Sequence, residues 1–295
     1  MGRSDVATAG QWLEGARPRT LPAAIAPVLA GTGAAALVDS VRPLRAVLAL
    51  VVALALQVAV NYANDYSDGV RGTDAVRVGP LRLVGSGVAT PAAVKRAAFL
   101  AFAVAGVAGL VLAAMTSWWL VAVGLVAMLA AWGYTGGPRP YGYAGLGELF
   151  VFVFFGLVAV CGTTYVQVLS VTGVSVVCAV AIGFLACALL VANNLRDVPT
   201  DTVAGKNTLA VRIGEQRTRV LYVLLVTLPF LAVVGLAVAG HPWVLVTLVA
   251  VPLAARAIRP VMQGARGRDL IPVLQGTGRT ELVYAIGLLV GLALS

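Results

Sequence analysis

The sequence predicts an all-α integral membrane protein, with nine transmembrane helices arranged around a central cavity. The first observation is composition: 60% of the 295 residues are hydrophobic and 11% are charged, whereas soluble domains carry about 45–50% apolar and about 25% charged residues. The second is a series of long apolar runs, and the third is an uneven distribution of positive charge. These observations exclude a soluble enzyme, a disordered chain and a nucleic-acid-binding domain.

Nine apolar runs are candidates for membrane helices, which need about 20 mostly apolar residues. In chain order they are 20–38, 46–63, 97–115, 118–135, 148–169, 174–193, 220–239, 242–258 and 281–295. The last run is the shortest. No low-complexity linker or separate polar segment interrupts the series, so we predict one membrane-embedded domain over 1–295.

The distribution of Lys and Arg supports the count of nine. With nine spans, all but two of the 21 basic residues fall on the side of the N-terminus, the exceptions being Arg42 and Arg45. Because cytoplasmic loops are enriched in Lys and Arg, we predict a multi-pass protein of a bacterial-type cell membrane, with a cytoplasmic N-terminus and an external C-terminus. The long connections lie on the cytoplasmic side, where we therefore expect the active site.

A polar stripe lies at the cytoplasmic end of the second run. Its members share an arc of about 100° on one helical face: Asn61, Asn64, Asp65 and Asp68. Two carboxylates three residues apart repel each other unless a cation or a donor lies between them. Oxygen ligands suit Mg²⁺, which binds one or two carboxylates together with substrate phosphates and water. The stripe therefore predicts a Mg²⁺ site.

A second stripe repeats this chemistry at the end of the sixth run. Asn193 precedes Asp197 and Asp201, whose spacing is that of one helical face. Pro199 predicts that the helix ends near Val198, which would place Asp201 in the following loop. Two matching stripes predict two four-helix pseudo-repeats plus a last helix, with the carboxylates facing the cavity. Such opposed acidic clusters suit a diphosphate held by Mg²⁺.

Further side chains near the stripes are candidates for substrate binding. The basic ones are Arg71, Arg139 and Lys206. Glu148 opens the fifth run, where the helix dipole alone also favours an acidic residue. Tyr134 and Tyr141 flank the inner end of the fourth run, where they belong either to the interfacial aromatic belt or to a π-face that stabilises a cation.

Several motifs resemble those of the UbiA family of intramembrane prenyltransferases. NDYSDGVRGTD and NNLRDVPTD resemble its two Asp-rich motifs, and the resemblance runs from about residue 12 to the end. Three further segments resemble the menaquinone branch of the family: VRVGPLRLVGSGVATPAAVKRA, YTGGPRPYGYAGLGELFVFVFFG and GKNTLAVRIG. The first motif departs from the general pattern at Gly72, where the family has Asp, and Asp74 follows two residues later. The menaquinone branch is similar in this respect.

The resemblance implies both a reaction and roles for the candidate residues. A polyprenyl diphosphate is expected to lie with its tail in the bilayer, and its diphosphate on Mg²⁺ held by Asp65, Asp68, Asp197 and Asp201. Tyr134 or Tyr141 is expected to stabilise the allylic cation. The substrate-binding residues implied are Asn61, Asn64, Arg71, Asp74, Arg139, Tyr141, Glu148, Asn193 and Lys206. The implied acceptor is 1,4-dihydroxy-2-naphthoate, which loses CO₂ as demethylmenaquinone forms.

Two alternatives stay open from the sequence. The same Asp-rich motifs would serve another acceptor, 4-hydroxybenzoate or phosphoribose diphosphate, although the segment VRVGPLR favours the naphthoate. A cation-coupled transporter would also carry carboxylates within the membrane, but those usually lie near the bilayer midplane at interrupted helices. No motif identifies the residue that binds the acceptor.

Overall fold

The structure is a computed structural model that describes residues 7–73 and 81–295, and every regular element in these ranges is helical. The prediction of an all-α chain is therefore confirmed for them. The helices are α1 Ala9–Gly15, α2 Pro22–Ala36, α3 Pro43–Arg71, α4 Pro91–Met115, α5 Trp119–Gly133, α6 Gly147–Val168, α7 Gly173–Val203, α8 Leu209–Ile213, α9 Glu215–Val238, α10 Pro242–Met262 and α11 Ile271–Ala293. Short 3₁₀ turns lie at Pro18–Thr20, Tyr141–Ala144 and Gly267–Leu270.

Six helices of the described chain are long and apolar enough to cross a membrane, namely α3, α4, α6, α7, α9 and α10. Helices α2 and α5 are apolar but shorter, and α11 carries Arg279 and Glu281 near its middle. Each of the nine predicted runs coincides with a helix. Only six helices of the described chain are both long and apolar enough to cross a membrane. The count of nine membrane spans and the pseudo-repeat therefore stay predictions.

Helix boundaries follow local chemistry. Helices α2, α3 and α4 begin with Pro22, Pro43 and Pro91 at their first positions, where proline costs no hydrogen bond. Thr90 caps α4 by accepting a hydrogen bond from the backbone N–H of Ala93. Helix α3 ends at Gly72, whose φ of 71° lies in the left-handed region that favours glycine.

Helices α3 and α7 extend well beyond the predicted runs, and both acidic stripes lie on these extensions. The expected end of α7 near Val198 is wrong, because the helix continues through Pro199 to Val203. Two hydroxyls support this turn: Thr200 donates to the Asp197 carbonyl at 2.9 Å and Thr202 to the Val198 carbonyl at 2.8 Å. Asp201 is therefore helical rather than in a loop.

The core is closest packed where small residues let helices approach one another. A Cβ added to Gly156 of α6 would lie 2.7 Å from the Cα of Gly183 in α7, and one added to Gly291 of α11 would lie 2.5 Å from the Cα of Val244 in α10. Such contacts favour helix association in membranes. Helix α5 differs, since none of its residues is buried. Helix α5 is therefore packed more loosely against the bundle than α6, α7, α10 and α11.

Arg45 joins three helices at the end of the bundle away from the acidic stripes. Its Nη1 donates to the carbonyl of Val166 at 3.0 Å and its Nη2 to the carbonyl of Met115 at 2.9 Å. Both carbonyls lie in the last turns of their helices, where backbone acceptors lack intrahelical partners and a cation is favoured by the helix dipole. The side chain of Arg45 thus ties α3 to α4 and α6.

Replacing Arg45 by Met is expected to destabilise the folded protein by about 2 kcal/mol, because two charged hydrogen bonds are lost. Thermal unfolding in detergent would show this as a lower apparent Tm. Arg42→Met is the matched control, since the Arg42 side chain is exposed and only its backbone N–H binds Gln167. Equal Tm values for the two variants would contradict the structural role of Arg45.

Candidate active site

A cavity of about 840 Å³ lies inside the bundle, which agrees with the predicted central cavity. At one end its wall carries polar and charged side chains, namely Asn61, Asn64, Asp68, Arg82, Asn193, Asn194, Arg196, Asp197, Asp201 and Lys206. Much of the remaining wall is apolar and includes Leu56, Val60, Leu112, Leu120, Val123, Phe154, Phe155, Val158 and Val166. A single space therefore joins a charged end to a long apolar wall.

Asp68 is the centre of the first charged cluster. Lys206 Nζ lies 3.3 Å from its Oδ1, and Arg82 Nη2 lies 3.6 Å from its Oδ2. The hydroxyl of Tyr143 donates to Oδ1 as well. Asp68 is 3% exposed, and a charge buried this deeply needs such partners. The cluster places two cations and a phenol around one carboxylate on the cavity wall.

Asp197 forms the second cluster with its neighbour in the chain. Arg196 donates through Nε and Nη2 to the two oxygens of Asp197, each at 2.7 Å, and Nη2 also donates to Asn193 Oδ1 at 2.8 Å. Bidentate pairing of this kind is among the stronger charged contacts in proteins. Asp201 lies one turn further along α7 and also lines the cavity. The helical continuation past Pro199 therefore keeps both carboxylates at the site.

Asp65 has a different position from the one predicted. It is fully buried and does not line the cavity. Its Oδ2 accepts a hydrogen bond from the N–H of Leu83 at 2.8 Å, and its Oδ1 accepts one from Val84 at 3.0 Å. Because both oxygens accept from backbone N–H groups, the carboxylate holds the segment that carries Arg82. These contacts give Asp65 a structural role, and its assignment as a metal ligand stays a prediction.

Three other predicted substrate-binding residues also lie off the cavity wall. The guanidinium of Arg71 donates to the backbone carbonyls of Thr135 and Gly137, so it tethers the end of α3 to the next connection. Arg139 is exposed. Glu148 accepts a hydrogen bond from Asn194 Nδ2 at 2.9 Å and so holds the side chain of Asn194, which does line the cavity. Asp74 lies outside the described residues.

The remaining predicted residues do lie on the wall, and several support one another. Asn64 accepts a hydrogen bond from the Thr135 hydroxyl at 2.7 Å. Tyr141 stacks on Phe150 with ring centroids 3.9 Å apart, and its hydroxyl donates to the Ala130 carbonyl at 2.8 Å. Tyr134 meets the Tyr141 ring edge-on at 5.5 Å. An aromatic surface therefore adjoins the charged end.

Tyr143 belongs to the aromatic group at the inner end of the fourth run, but it was not among the residues predicted for the site. Lys206 Nζ lies 4.6 Å from the centre of its ring, within the range of a cation–π contact. Burial, and then the adjacent Asp68 carboxylate, raise the pKa of Tyr143, while burial raises the pKa of Tyr141. Both phenols therefore keep their protons at neutral pH and act as donors. The repeated tyrosine in the segment YGY was the available signal.

The donor set fits a metal that is bound together with an anionic substrate. Within 7–73 and 81–295, no three His, Cys, Asp or Glu side chains converge on one point. Asp68 with Asn64 and Asp197 with Asp201 instead offer two groups of oxygen donors on one cavity. Mg²⁺ typically binds one or two carboxylates and completes its shell with phosphate and water. The chemistry of these groups therefore fits Mg²⁺.

A sequence model of the UbiA prenyltransferase family matches residues 24–273. The chain belongs to this family. Relatives include the 1,4-dihydroxy-2-naphthoate octaprenyltransferase of Mycobacterium tuberculosis, which is 57% identical with 98% of each chain covered. The enzyme of the same name from Escherichia coli is 38% identical, again with 98% of each chain covered. The resemblance seen in the motifs is thus confirmed.

Solved structures of other UbiA proteins have the same fold. A UbiA homolog from Archaeoglobus fulgidus, bound to GPP and Mg²⁺, superposes with a TM-score of 0.65 at 15% identity, covering 95% of this chain and 99% of that one. The apo UbiA homolog from Aeropyrum pernix K1 gives a TM-score of 0.69 at 13% identity, covering 90% and 96% of the two chains. With its apolar helices, this UbiA chain is a multi-pass membrane protein.

Proposed function

We propose that this protein transfers a polyprenyl group from polyprenyl diphosphate to 1,4-dihydroxy-2-naphthoate, releasing diphosphate and CO₂ and forming demethylmenaquinone in its reduced form, demethylmenaquinol, for menaquinone biosynthesis. The observation that carries the proposal is the single cavity in which charged clusters adjoin a long apolar wall. A polyprenyl diphosphate has this same division between an anionic head and an apolar tail. The acceptor is inferred from the relatives, which are named for that naphthoate.

The charged end is suited to the diphosphate leaving group. Asp68, Asp197 and Asp201 would hold Mg²⁺, with Asn64 and Asn193 as neighbouring oxygen donors. When bound, Mg²⁺ would supply Lewis-acid stabilisation of the departing diphosphate. Preorganised charges of this kind lower the barrier where negative charge develops.

The cations of the site bind and orient the donor. Lys206 and Arg82 lie against Asp68 and face the same space, so they are placed to contact diphosphate oxygens. As the bond between the prenyl carbon and oxygen breaks, its electron pair leaves with the diphosphate. Tyr134 and Tyr141 offer π-faces to the allylic cation, and the apolar wall excludes water from it.

The ring carbon of the acceptor then forms the new C–C bond. The electrons of the bond to the carboxylate return to the ring as CO₂ departs. The ring keeps both hydroxyl groups, so the product is demethylmenaquinol, the reduced form of demethylmenaquinone, and this step needs no oxidant or reductant. We propose that this takes place on the cytoplasmic side of the cell membrane, with the N-terminus cytoplasmic and the C-terminus outside. The Lys and Arg distribution supports that orientation.

The test is turnover by purified protein in detergent, with a long-chain polyprenyl diphosphate and either 1,4-dihydroxy-2-naphthoate or 4-hydroxybenzoate. We expect CO₂ and demethylmenaquinol, which air oxidises to demethylmenaquinone, from the naphthoate alone, with loss of product in EDTA and recovery when Mg²⁺ is restored. Mass spectrometry follows the product.

Other outcomes overturn separate parts of the proposal. Product from 4-hydroxybenzoate alone would replace the acceptor, while chelator-resistant turnover would contradict the role of Mg²⁺. No product from either acceptor, in protein shown to be folded, would favour the phosphoribose or transporter alternatives.

A further inference from the structure

A second polar corner of the cavity lies away from the acidic clusters. Arg17, Thr20, Gln57 and Asn61 all line it. Gln57 shares a face of α3 with Asn61 and Asp68, and it lies about three helical turns, or roughly 16 Å, before Asp68. The corner is therefore on the same wall as the charged end but deeper in the bundle.

Hydrogen bonds fasten the segment before α2 to this face of α3. The Thr20 hydroxyl accepts from Gln57 Nε2 and Asn61 Nδ2, both at 3.0 Å, and donates to the Arg17 carbonyl at 2.9 Å. Asn61 Nδ2 also donates to the Ala16 carbonyl at 2.8 Å. Asn61, predicted to bind substrate, therefore holds this corner together.

Two polar atoms in the corner take no part in this hydrogen-bond network. Arg17 Nη2 and Gln57 Oε1 are buried, and neither has a hydrogen-bond partner among residues 7–73 and 81–295. Gln57 is 7% exposed. Buried polar groups are nearly always hydrogen-bonded, so each such group requires an explanation. One atom is a cationic donor and the other is a neutral acceptor, and both belong to one cavity.

The guanidinium of Arg17 differs from three of the other cations on the wall, and the fourth, Arg19, is exposed. Lys206 and Arg82 lie against Asp68, and Arg196 is bound to Asp197. Arg17 also has a left-handed backbone, with φ 55° and ψ 67°, which is costly for a residue other than glycine. Its carbonyl accepts from both the N–H and the hydroxyl of Thr20 at 2.9 Å. These bonds hold the residue at the edge of the cavity.

The corner also has an apolar wall of small side chains. The neighbouring wall of α2 is built from Ala23, Ala24 and Pro27, whose short side chains leave space beside Arg17 and Gln57. A ligand that fits must offer an anion to the guanidinium, a donor to the amide oxygen and an apolar face to α2. An aromatic ring with adjacent carboxylate and hydroxyl groups has all three.

We propose that Arg17 and Gln57 form the acceptor subsite, with the guanidinium binding the carboxylate of a hydroxyaryl carboxylate and Gln57 Oε1 accepting from its ring hydroxyl. The inference rests on the proposed function for the identity of the acceptor. It assigns acceptor recognition to a place separate from the diphosphate end. Arg17 is then a specificity-determining residue of the reaction.

The first experiment replaces Arg17 by Met, which removes the charge and keeps a long side chain. We expect KM for the naphthoate to rise about 10- to 100-fold, the size of one charged hydrogen bond, while KM for the polyprenyl diphosphate stays unchanged. Arg17→Lys is expected to recover part of the loss. Arg217→Met is the matched control, since Arg217 is exposed and lies off the cavity wall, and it is expected to leave both KM values unchanged.

A second experiment measures equilibrium binding without any turnover. The probes are 1-hydroxy-2-naphthoate, 2-naphthoate and 1-naphthol, followed by isothermal titration calorimetry. The unaltered protein is expected to bind the first probe most tightly. Gln57→Leu should remove the preference over 2-naphthoate, which lacks the hydroxyl. Arg17→Met should remove the preference over 1-naphthol, which lacks the carboxylate.

The outcomes separate this subsite from the proposed function. An unchanged Kd of Arg17→Met for 1-hydroxy-2-naphthoate would overturn the subsite, as would a raised KM for the donor alone. Absence of product from the naphthoate, with probe binding that still depends on Arg17, would overturn the proposed function and leave the subsite standing. If Arg17→Met fails to fold, the probe preferences of Arg17→Lys and Gln57→Leu decide.

Discussion

Replacing Asp68 by Asn is expected to lower kcat by about 10²- to 10³-fold, the usual effect of removing one preorganised electrostatic group. The substitution keeps the shape of the side chain but removes the charge between Lys206 and Arg82. It also removes an oxygen that Mg²⁺ would bind. Both changes weaken the binding of the diphosphate as its charge develops. The measurement is single-turnover product formation at saturating donor and Mg²⁺.

The control for this variant is Asp39→Asn. Asp39 is exposed and has a left-handed backbone with φ 52°, a conformation that Asn tolerates well. We expect unaltered kcat in the control. Asp68→Asn is expected to have a lower apparent Tm as well, because the buried charges of Lys206 and Arg82 lose their carboxylate partner, so its kcat is measured on protein shown to be folded. Full activity of folded Asp68→Asn would contradict the assignment of the first acidic cluster.

Local periodicity explains why much of the site was predictable. Asn61, Asn64 and Asp68 share one helical face, and that face lines the cavity because α3 continues through them. The same holds for Asp197 and Asp201 on α7. A spacing of three or four residues on an apolar helix therefore indicates which polar groups meet, even before the partner helices are known.

The roles that were missed depend on contacts between distant parts of the chain. Asp65 lies beside Asp68 in sequence, but its partners are backbone N–H groups of Leu83 and Val84, beyond the end of α3. Arg71 similarly binds carbonyls in the connection after α5. Residue type and spacing do not predict such partners. A carboxylate that accepts hydrogen bonds from the backbone and one that binds a metal have the same local sequence pattern.

The sequence contained a weaker indication that Gln57 and Arg17 belong to the site. Gln57 interrupts the apolar run 46–63 one turn before Asn61, and Arg17 lies in the ARPRT segment before α2. Periodicity alone extends the polar stripe to Gln57, but only the folded structure brings Thr20 between the two residues. The unpaired atoms, which carry the argument for an acceptor subsite, are a property of packing rather than of sequence.

Replacing Asp65 by Ala is expected to destabilise the protein by about 2–6 kcal/mol, because two buried N–H groups lose their acceptor and each costs about 1–3 kcal/mol. The segment at Leu83 and Val84 then loses its attachment to α3. Since that segment also positions Arg82 against Asp68, KM for the polyprenyl diphosphate is expected to rise. Thermal unfolding in detergent and steady-state kinetics measure the two effects.

The Asn variants distinguish a structural carboxylate from a metal ligand. Asp65→Asn keeps one amide oxygen as acceptor, so its apparent Tm is expected to lie between those of Asp65→Ala and the unsubstituted protein. Raising the Mg²⁺ concentration is expected to leave the kinetics of Asp65→Asn unchanged, since its carboxylate is off the cavity wall. If Asp65→Asn instead has an unaltered Tm and recovers activity in excess Mg²⁺, Asp65 is a metal ligand. The segment at 81–84 would then have to move when substrate binds.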